Sequence, residues 1–256
     1  MRITFLGTGT SQGVPVIACE CDICTSTDPR DRRLRSSVLI QEGAMNIVID
    51  AGPDFRCQML RAGIKTLRAV LITHGHKDHI AGLDDVRPFN YFTHEPIDVY
   101  AAREVQEDIR RDFFYAFDDD KYPGIPEIEL HTIDYSPFSI DKLEVIPFEL
   151  WHNRLKILGF RIGDFAYITD ASYIPEISMQ LLTGLDVLVI NALRLEPHVA
   201  HFNLPQALDI IHRLSPRSAF LTHISHRLGK HGEIERILPP YVSVAYDGLE
   251  IEIDKS

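Results

Sequence analysis

The chain has 256 residues, 45% hydrophobic and 25% charged, an ordinary composition for a soluble globular protein that can bury a full core. Its net charge of −11, from 26 basic and 37 acidic residues, speaks against broad electrostatic binding of nucleic acid or of an anionic membrane. No apolar run reaches the length of a membrane span, and no basic stretch followed by a long apolar one opens the chain, so the expected compartment is the cytoplasm.

In chain order, Arg2–Leu6 alternates and reads as a strand. The Gly7–Gly13 stretch after it is spaced GxGxxxG and leads to Pro15 and a cysteine cluster, not to an amphipathic helix. It reads as a tight turn beside a site and not as a dinucleotide loop. Cys19, Cys21 and Cys24 form CxCxxC, three thiols able to converge on one zinc that then needs a fourth ligand from elsewhere. Four cysteines in a chain of this length do not suggest a disulfide framework. Segments 37–40 and 46–49 read as a hairpin ending in Asp50-Ala51-Gly52-Pro53. A helix follows over 54–62, with Cys57 expected as a small buried residue. The short apolar run 69–72 reads as a buried strand, and it ends in His74-Gly75-His76-Lys77-Asp78-His79. Four potential ligands within six residues suit a borderline divalent cation. They exceed what one tetrahedral ion takes while keeping a position for water, so some of them point to a second ion.

Beyond this corner, 97–100 reads as a strand, 101–117 as a helix and 118–126 as an acidic, proline-bearing loop. The segment 105–128 could cover a site or make a homodimer contact. Strands follow over 129–133, 143–149, 156–162, 165–169, 186–191 and 218–222. A helix over 204–214 starts at Asn203 as N-cap, and 232–238 is a short helix. Segments 242–245 and 249–253 suggest a closing hairpin around Asp247-Gly248. His152, Asp170 and His223 each stand at or just past a strand. No linker or repeat is visible, and the expectation is one domain, 1–256, with two sheets and helices outside.

Taken together, HxHxDH, then His152, Asp170 and His223 resemble the metallo-β-lactamase superfamily across nearly the whole chain. The resemblance implies an α+β, αββα sandwich of two mixed sheets packed face to face with helices outside. It implies that His74, His76 and His152 hold one metal, that Asp78, His79 and His223 hold the other, and that Asp170 bridges them. Two such cations lower the pKa of a shared water and clamp an oxyanion. A carboxylate in the bridging position favours phosphoryl chemistry, with zinc and manganese both acceptable. GTGTSQGVP with CECDIC, and LTHISH near the other end, resemble more narrowly the PhnP-type phosphodiesterases, which act on 5-phosphoribosyl 1,2-cyclic phosphate. That likeness implies a structural zinc on Cys19, Cys21, Cys24 and His226, and a histidine before the 204–214 helix as proton donor to the leaving oxygen. His201, in HFNLPQAL, matches that position better than His198.

The expected activity is hydrolysis of a small, cyclic phosphodiester by a hydroxide held between two metals, with Asp78 and His201 as the residues closest to the chemistry. A tRNA 3′-processing nuclease and a lactone or thioester hydrolase share the scaffold. A metal- or redox-sensing binding protein built on CxCxxC is the alternative that is not an enzyme. No long Gly- or Lys-rich arm is present for tRNA, and the charge is unfavourable for nucleic acid.

Overall fold

The computed structural model describes residues 1–118, 120 and 123–253; the expected loop 118–126 thus lies outside the described residues at 119, 121 and 122. In chain order the elements are β1 (Arg2–Gly7), β2 (Ser37–Glu42), β3 (Met45–Ile49), α1 (Phe55–Ala62), β4 (Ala69–Leu71), α2 (Lys77–Ile80), α3 (Arg87–Thr93), β5 (Ile97–Ala101), α4 (Arg103–Asp112), α5 (Phe114–Phe117) and β6 (Ile128–Thr132). They continue with β7 (Phe138–Ile140), β8 (Leu143–His152), β9 (Leu155–Ile162), β10 (Phe165–Tyr167), α6 (Glu176–Leu181), β11 (Val187–Asn191), α7 (Leu204–Leu214), β12 (Ser218–Thr222), α8 (His231–Glu235), β13 (Val242–Val244) and β14 (Glu250–Glu252). No helix among the described residues is long and apolar enough to cross a membrane.

The chain divides into two compact units. The first comprises Met1–Leu6, Ser37–Asp134 and Glu250–Ser256 and carries a mixed seven-stranded sheet of order β14-β1-β2-β3-β4-β5-β6. Strands β3 to β6 run parallel, with Ile49 level with Leu71 and Leu71 level with Tyr100. Such strands are buried on both faces and read as apolar runs; Ala69, Val70 and Leu71 have no exposed surface. Phe55 and Met59 of α1 and Val105 and Ile109 of α4 join Val48, Val70 and Val99 in one core. The second unit comprises Gly7–Ser36 and Tyr135–Leu249, with a sheet of order β13-β12-β11-β10-β9-β8-β7. Its β10, β11, β12 and β13 are parallel, so the chain leaves β10, β11 and β12 at the same edge. Helix α7 buries Leu204, Ala207, Ile210, Ile211 and Leu214, a 3.6-residue stripe, and each large apolar side chain there contributes about 1.5–3 kcal/mol. Its start is the expected one. Asn203 Oδ1 accepts from Gln206 N–H (3.0 Å), and Gln206 Oε1 accepts from Asn203 N–H (3.1 Å).

Three local expectations need correction. The closing hairpin does not form: β13 pairs with β12 and β14 with β1, in different sheets. The intervening Asp247 is no turn residue of a hairpin, because its carboxylate accepts Thr8 Oγ1–H and Leu34 N–H, both at 2.8 Å. The 101–117 helix breaks at Phe113 (φ −118°, ψ 38°), where that ring turns into the core. Cys57 is exposed, because α1 directs Phe55, Gln58 and Met59 inward instead.

The segment carrying HxHxDH is docked tightly on the turn after β3. Ala51 N–H donates to His79 O and Gly82 N–H to Ala51 O, each at 2.8 Å. A Cβ on Gly82 would lie 2.0 Å from Gly52 O and 2.6 Å from Phe55 Cβ, so no side chain fits. Gly82→Ala should therefore lower unfolding free energy by about 2–4 kcal/mol in urea titrations. Gly43→Ala, in the β2–β3 turn at φ +61° with nothing within 4 Å, should cost only about 1 kcal/mol. Equal losses would show that the docking is loose.

Candidate metal centre

In the first unit the ligand candidates follow β4. Position 50, after β3, and positions 73–79 after β4 come off neighbouring parallel strands, whose carboxyl ends are where open α/β sheets place their sites. Asp50 is fully buried at φ +64°. Its carboxylate accepts Thr73 N–H (2.9 Å), Thr73 Oγ1–H (2.9 and 3.0 Å) and His79 Nδ1–H (2.7 Å). Burial pushes this carboxyl up from the usual carboxylate range, against the opposing pull of His79 and Thr73. Because the Thr73 hydroxyl proton goes to Asp50, its oxygen accepts from His74 Nδ1–H at 3.0 Å. His74 and His79 are thereby set with Nε2 as the ligand nitrogen. His74 Nε2 lies 3.1 Å from His76 Nδ1, and His79 Nε2 lies 3.1 Å from Asp78 Oδ2. Two donors on one tetrahedral cation at 2.0–2.1 Å stand about 3.3 Å apart, so each pair has the separation of two ligands on one ion.

In the second unit His152 closes β8. Its Nδ1–H is shared between Asp170 O (2.8 Å) and Ala200 O (2.9 Å), which again assigns Nε2 as the ligand. Asp170 (φ +57°) follows β10, and its Oδ2 accepts Thr169 Oγ1–H at 2.7 Å. His223 (φ +53°) follows β12 and is fully buried, with Nδ1 3.1 Å from Asp170 Oδ2 and 3.2 Å from Ser36 Oγ. The Ser36 hydroxyl donates to Gly9 O (2.9 Å), leaving its oxygen to accept from the imidazole. His201 stacks on His223 with centroids 5.0 Å apart, and its Nδ1 lies 3.8 Å from Asp170 Oδ1. Ligand atoms of His152, Asp170 and His201 all fall within 4.8 Å of one another. Burial, then the neighbouring His223, pulls His201 down to about 3, so the ring is neutral at neutral pH.

The same unit gathers the cysteines. The sulfurs of Cys19, Cys21 and Cys24 lie 3.2, 3.4 and 3.5 Å from His226 Nδ1. Sulfur and nitrogen on one tetrahedral zinc, at about 2.3 and 2.1 Å, stand about 3.6 Å apart, so the quartet fits that ion. The Cys24 backbone N–H holds the Cys21 thiol down at about 6, whereas burial pushes Cys24 up to about 11. The loop is tied to the segment that bears His223 and His226, since Ile224 N–H donates to Thr8 O (2.8 Å) and Thr10 N–H to Ile224 O (3.1 Å).

Each expected site residue thus stands beside expected partners within its own unit. Arg227, next to His226, is exposed with Nη2 3.9 Å from Glu196. The sequence reading missed the residues that orient the ligands: Asp50, Thr73, Ser36 and Asn191. Asn191 clamps Ala171, beside Asp170, through both its amide groups at 2.9 Å. Their one signal is position, for Asp50 follows and Asn191 ends an otherwise apolar strand.

Residues 45–224 match the family described as the β-lactamase superfamily domain. Among curated proteins the chain is 42% identical to an octanoyltransferase of Porphyromonas gingivalis over the whole chain, but it spans only about half, 52%, of that relative's length. Among solved structures it is similar to a diphosphatase from the PhnP family (41% identity, TM-score 0.92, 98% of this chain and 97% of that one). It also shares the fold of the Zn²⁺-bound PqqB of Methylobacterium extorquens (18% identity, TM-score 0.82, 99% and 100%). With two mixed sheets, helices and clustered His and Asp side chains in place, the chain belongs to the metallo-β-lactamase superfamily and, within it, to the PhnP family.

Proposed function

We propose that this hydrolase cleaves a small phosphodiester, a cyclic ribose phosphate being the first to try, at a centre of two divalent cations. The observation that carries the reading is the donor set. Three imidazoles and one carboxylate come as two pairs at ligand spacing, His74 with His76 and His79 with Asp78, and in the second unit the carboxylate of Asp170 lies beside His223, with no thiolate among these donors. His74, His76 and His152 would hold one cation, Asp78, His79 and His223 the other, with Asp170 between. Cys19, Cys21, Cys24 and His226 would hold a separate structural zinc. When bound, the paired cations lower the pKa of a water toward neutrality and neutralise the phosphoryl oxygens. The similarity to a diphosphatase supports phosphoryl chemistry.

The residues themselves do the rest. Asp50 and Thr73 keep His74 and His79 in one tautomer, and Asp170 O and Ala200 O do the same for His152. His201 faces Asp170 and serves the departing oxygen. Its proton affinity is lowered by burial and His223, and the negative charge of a bound phosphodiester would raise it. Acyl transfer is the second reading, favoured by the 42% identity to the octanoyltransferase. A panel of bis(p-nitrophenyl) phosphate, a cyclic ribose phosphate, a lactone, an octanoyl thioester and a precursor tRNA separates the readings. Turnover confined to the last three would overturn ours.

Asp78→Ala or His79→Ala should remove one metal equivalent by mass spectrometry and nearly all turnover. Asp50→Asn, which disturbs the orientation of His79 and, through Thr73, of His74, should weaken metal binding by about 10–100-fold. Near-normal turnover in the ligand variants would refute the two-cation assignment. Cys21→Ser should lose one zinc equivalent and lower Tm by about 5 °C or more while the catalytic metals stay; unchanged zinc and Tm would remove the structural site. His201→Ala should slow diesters with poor leaving groups more than p-nitrophenyl ones, and equal slowing would deny it the proton-donor role.

A further inference from the structure

Strand β6 is an outer edge of the first unit's sheet and lies beside β5. Along β5 the buried Ile97, Val99 and Ala101 alternate with half-buried Asp98 and Tyr100, so the last two share the face turned away from the core that α1 and α4 cover. The parallel register sets Glu129 of β6 level with Asp98, and His131 level with Tyr100. Two carboxylates directly opposite one another on neighbouring strands repel and are destabilising. Here the pair comes with an imidazole. His131 Nε2 stands 2.9 Å from Asp98 Oδ1, and ligand atoms of Asp98, Glu129 and His131 all lie within 4.8 Å of one another.

The neighbours of this cluster support it without closing it. Arg68, just before β4, donates to the other Asp98 oxygen, Oδ2, and so fixes the carboxylate while leaving Oδ1 to face His131. The Tyr100 ring stacks on His131, with centroids 4.6 Å apart and planes at 19°, and holds the plane of the imidazole that points Nε2 at Asp98. A hydrogen-bonded carboxylate and a packed imidazole are the supports that metal ligands ordinarily have. Burial raises the Asp98 carboxyl, but the hydrogen bonds of His131 and Arg68 outweigh it and keep the group below the usual carboxylate range, so it is an anion at neutral pH. Glu129 is exposed and makes no hydrogen bond or ion pair to a described residue.

An ion-pair network accounts for Asp98, Arg68 and His131. It does not account for Glu129, which adds repulsion at the one register position where Asp98 faces it. We propose that Asp98, Glu129 and His131 form a further divalent-cation site, a zinc clip that ties the edge strand β6 to β5. One imidazole and two carboxylates suit a borderline ion, with water completing the shell on the open side. The cation turns two opposed carboxylates into ligands of one centre. It also fastens the strand whose outer main-chain groups have no neighbour in the sheet. The site lies wholly in the first unit and is independent of what the metal centre above hydrolyses.

The test uses the full chain with the metal centre and the cysteine quartet already loaded. Zn²⁺ is titrated into it by calorimetry, beside His131→Gln and Glu129→Gln, two positions open enough to water for the variants to fold. The unsubstituted protein should take up one further equivalent, and each variant should bind it about tenfold or more weakly. Zinc at about ten times its dissociation constant should raise the Tm of the unsubstituted protein by about 3 °C and slow amide exchange over 128–132, and should do neither in the variants. No further equivalent, or one held as tightly by either variant, would overturn the site and leave an ion pair with a solvated carboxylate beside it. Uptake that leaves amide exchange in β6 unchanged would overturn the clip.

Discussion

Three residues with left-handed backbone, Asp50 at φ +64°, Asp170 at +57° and His223 at +53°, stand immediately after or within three residues of parallel strands. For a residue with a Cβ this region costs roughly 1–2 kcal/mol, and it persists only where the surroundings hold it. Each is held. Asp50 takes Thr73 and His79 as donors, and its own N–H donates to Leu71 O at 2.8 Å. The residue after Asp170 is gripped by the Asn191 side chain, and the residue after His223 is bonded to Thr8. An extended continuation would alternate these side chains across the sheet; the sharp turn sets each at the strand end, in the company of the other ligands of its unit.

The same bonds decide which ring nitrogen can meet a cation. A histidine offers two, and a site with mixed tautomers loses part of its ligand field in every molecule that has the wrong one. Here the outer nitrogens of His74, His79 and His152 give their protons to Thr73, Asp50 and two main-chain carbonyls. Stability and chemistry are linked at this point. Buried Asp50 is costly to ionise, and the donors that offset the cost are those aligned with the ligand set. The cysteine quartet extends the logic along the chain: His226 lies three residues beyond His223, so pinning His226 to Cys19, Cys21 and Cys24 also pins the strand end that presents His223.

What could be read from the sequence follows from range. HxHxDH is local, and its spacing alone announces a metal corner. His152, Asp170 and His223 gained meaning only through likeness to a family, because their neighbourhood is set by strand order and not by spacing. Asp50 escaped notice because in sequence it is a polar residue before Ala-Gly-Pro, which is how a turn is written; its partners are 23 and 29 residues away. The false closing hairpin has the same origin. Asp247-Gly248 is a good local turn signal, yet Thr8 and Leu34 bind the Asp247 carboxylate and β14 finds β1. At Phe113 helical propensity lost to burial of a ring, a choice that no local window contains.

Net charge has to be weighed against this local organisation. A value of −11 opposes a long polyanion, whose many phosphates sample the whole surface. It does not oppose a small one, because the field in a site is set by its nearest charges. In the proposed centre two divalent cations bring four positive charges against the two carboxylates of Asp78 and Asp170, leaving the imidazoles neutral. The site is then cationic inside an acidic protein. In the function proposed above, an acidic surface with a cationic interior would repel extended nucleic acid and accept a compact phosphodiester, so the global charge and the proposed phosphoryl chemistry favour the same substrate class.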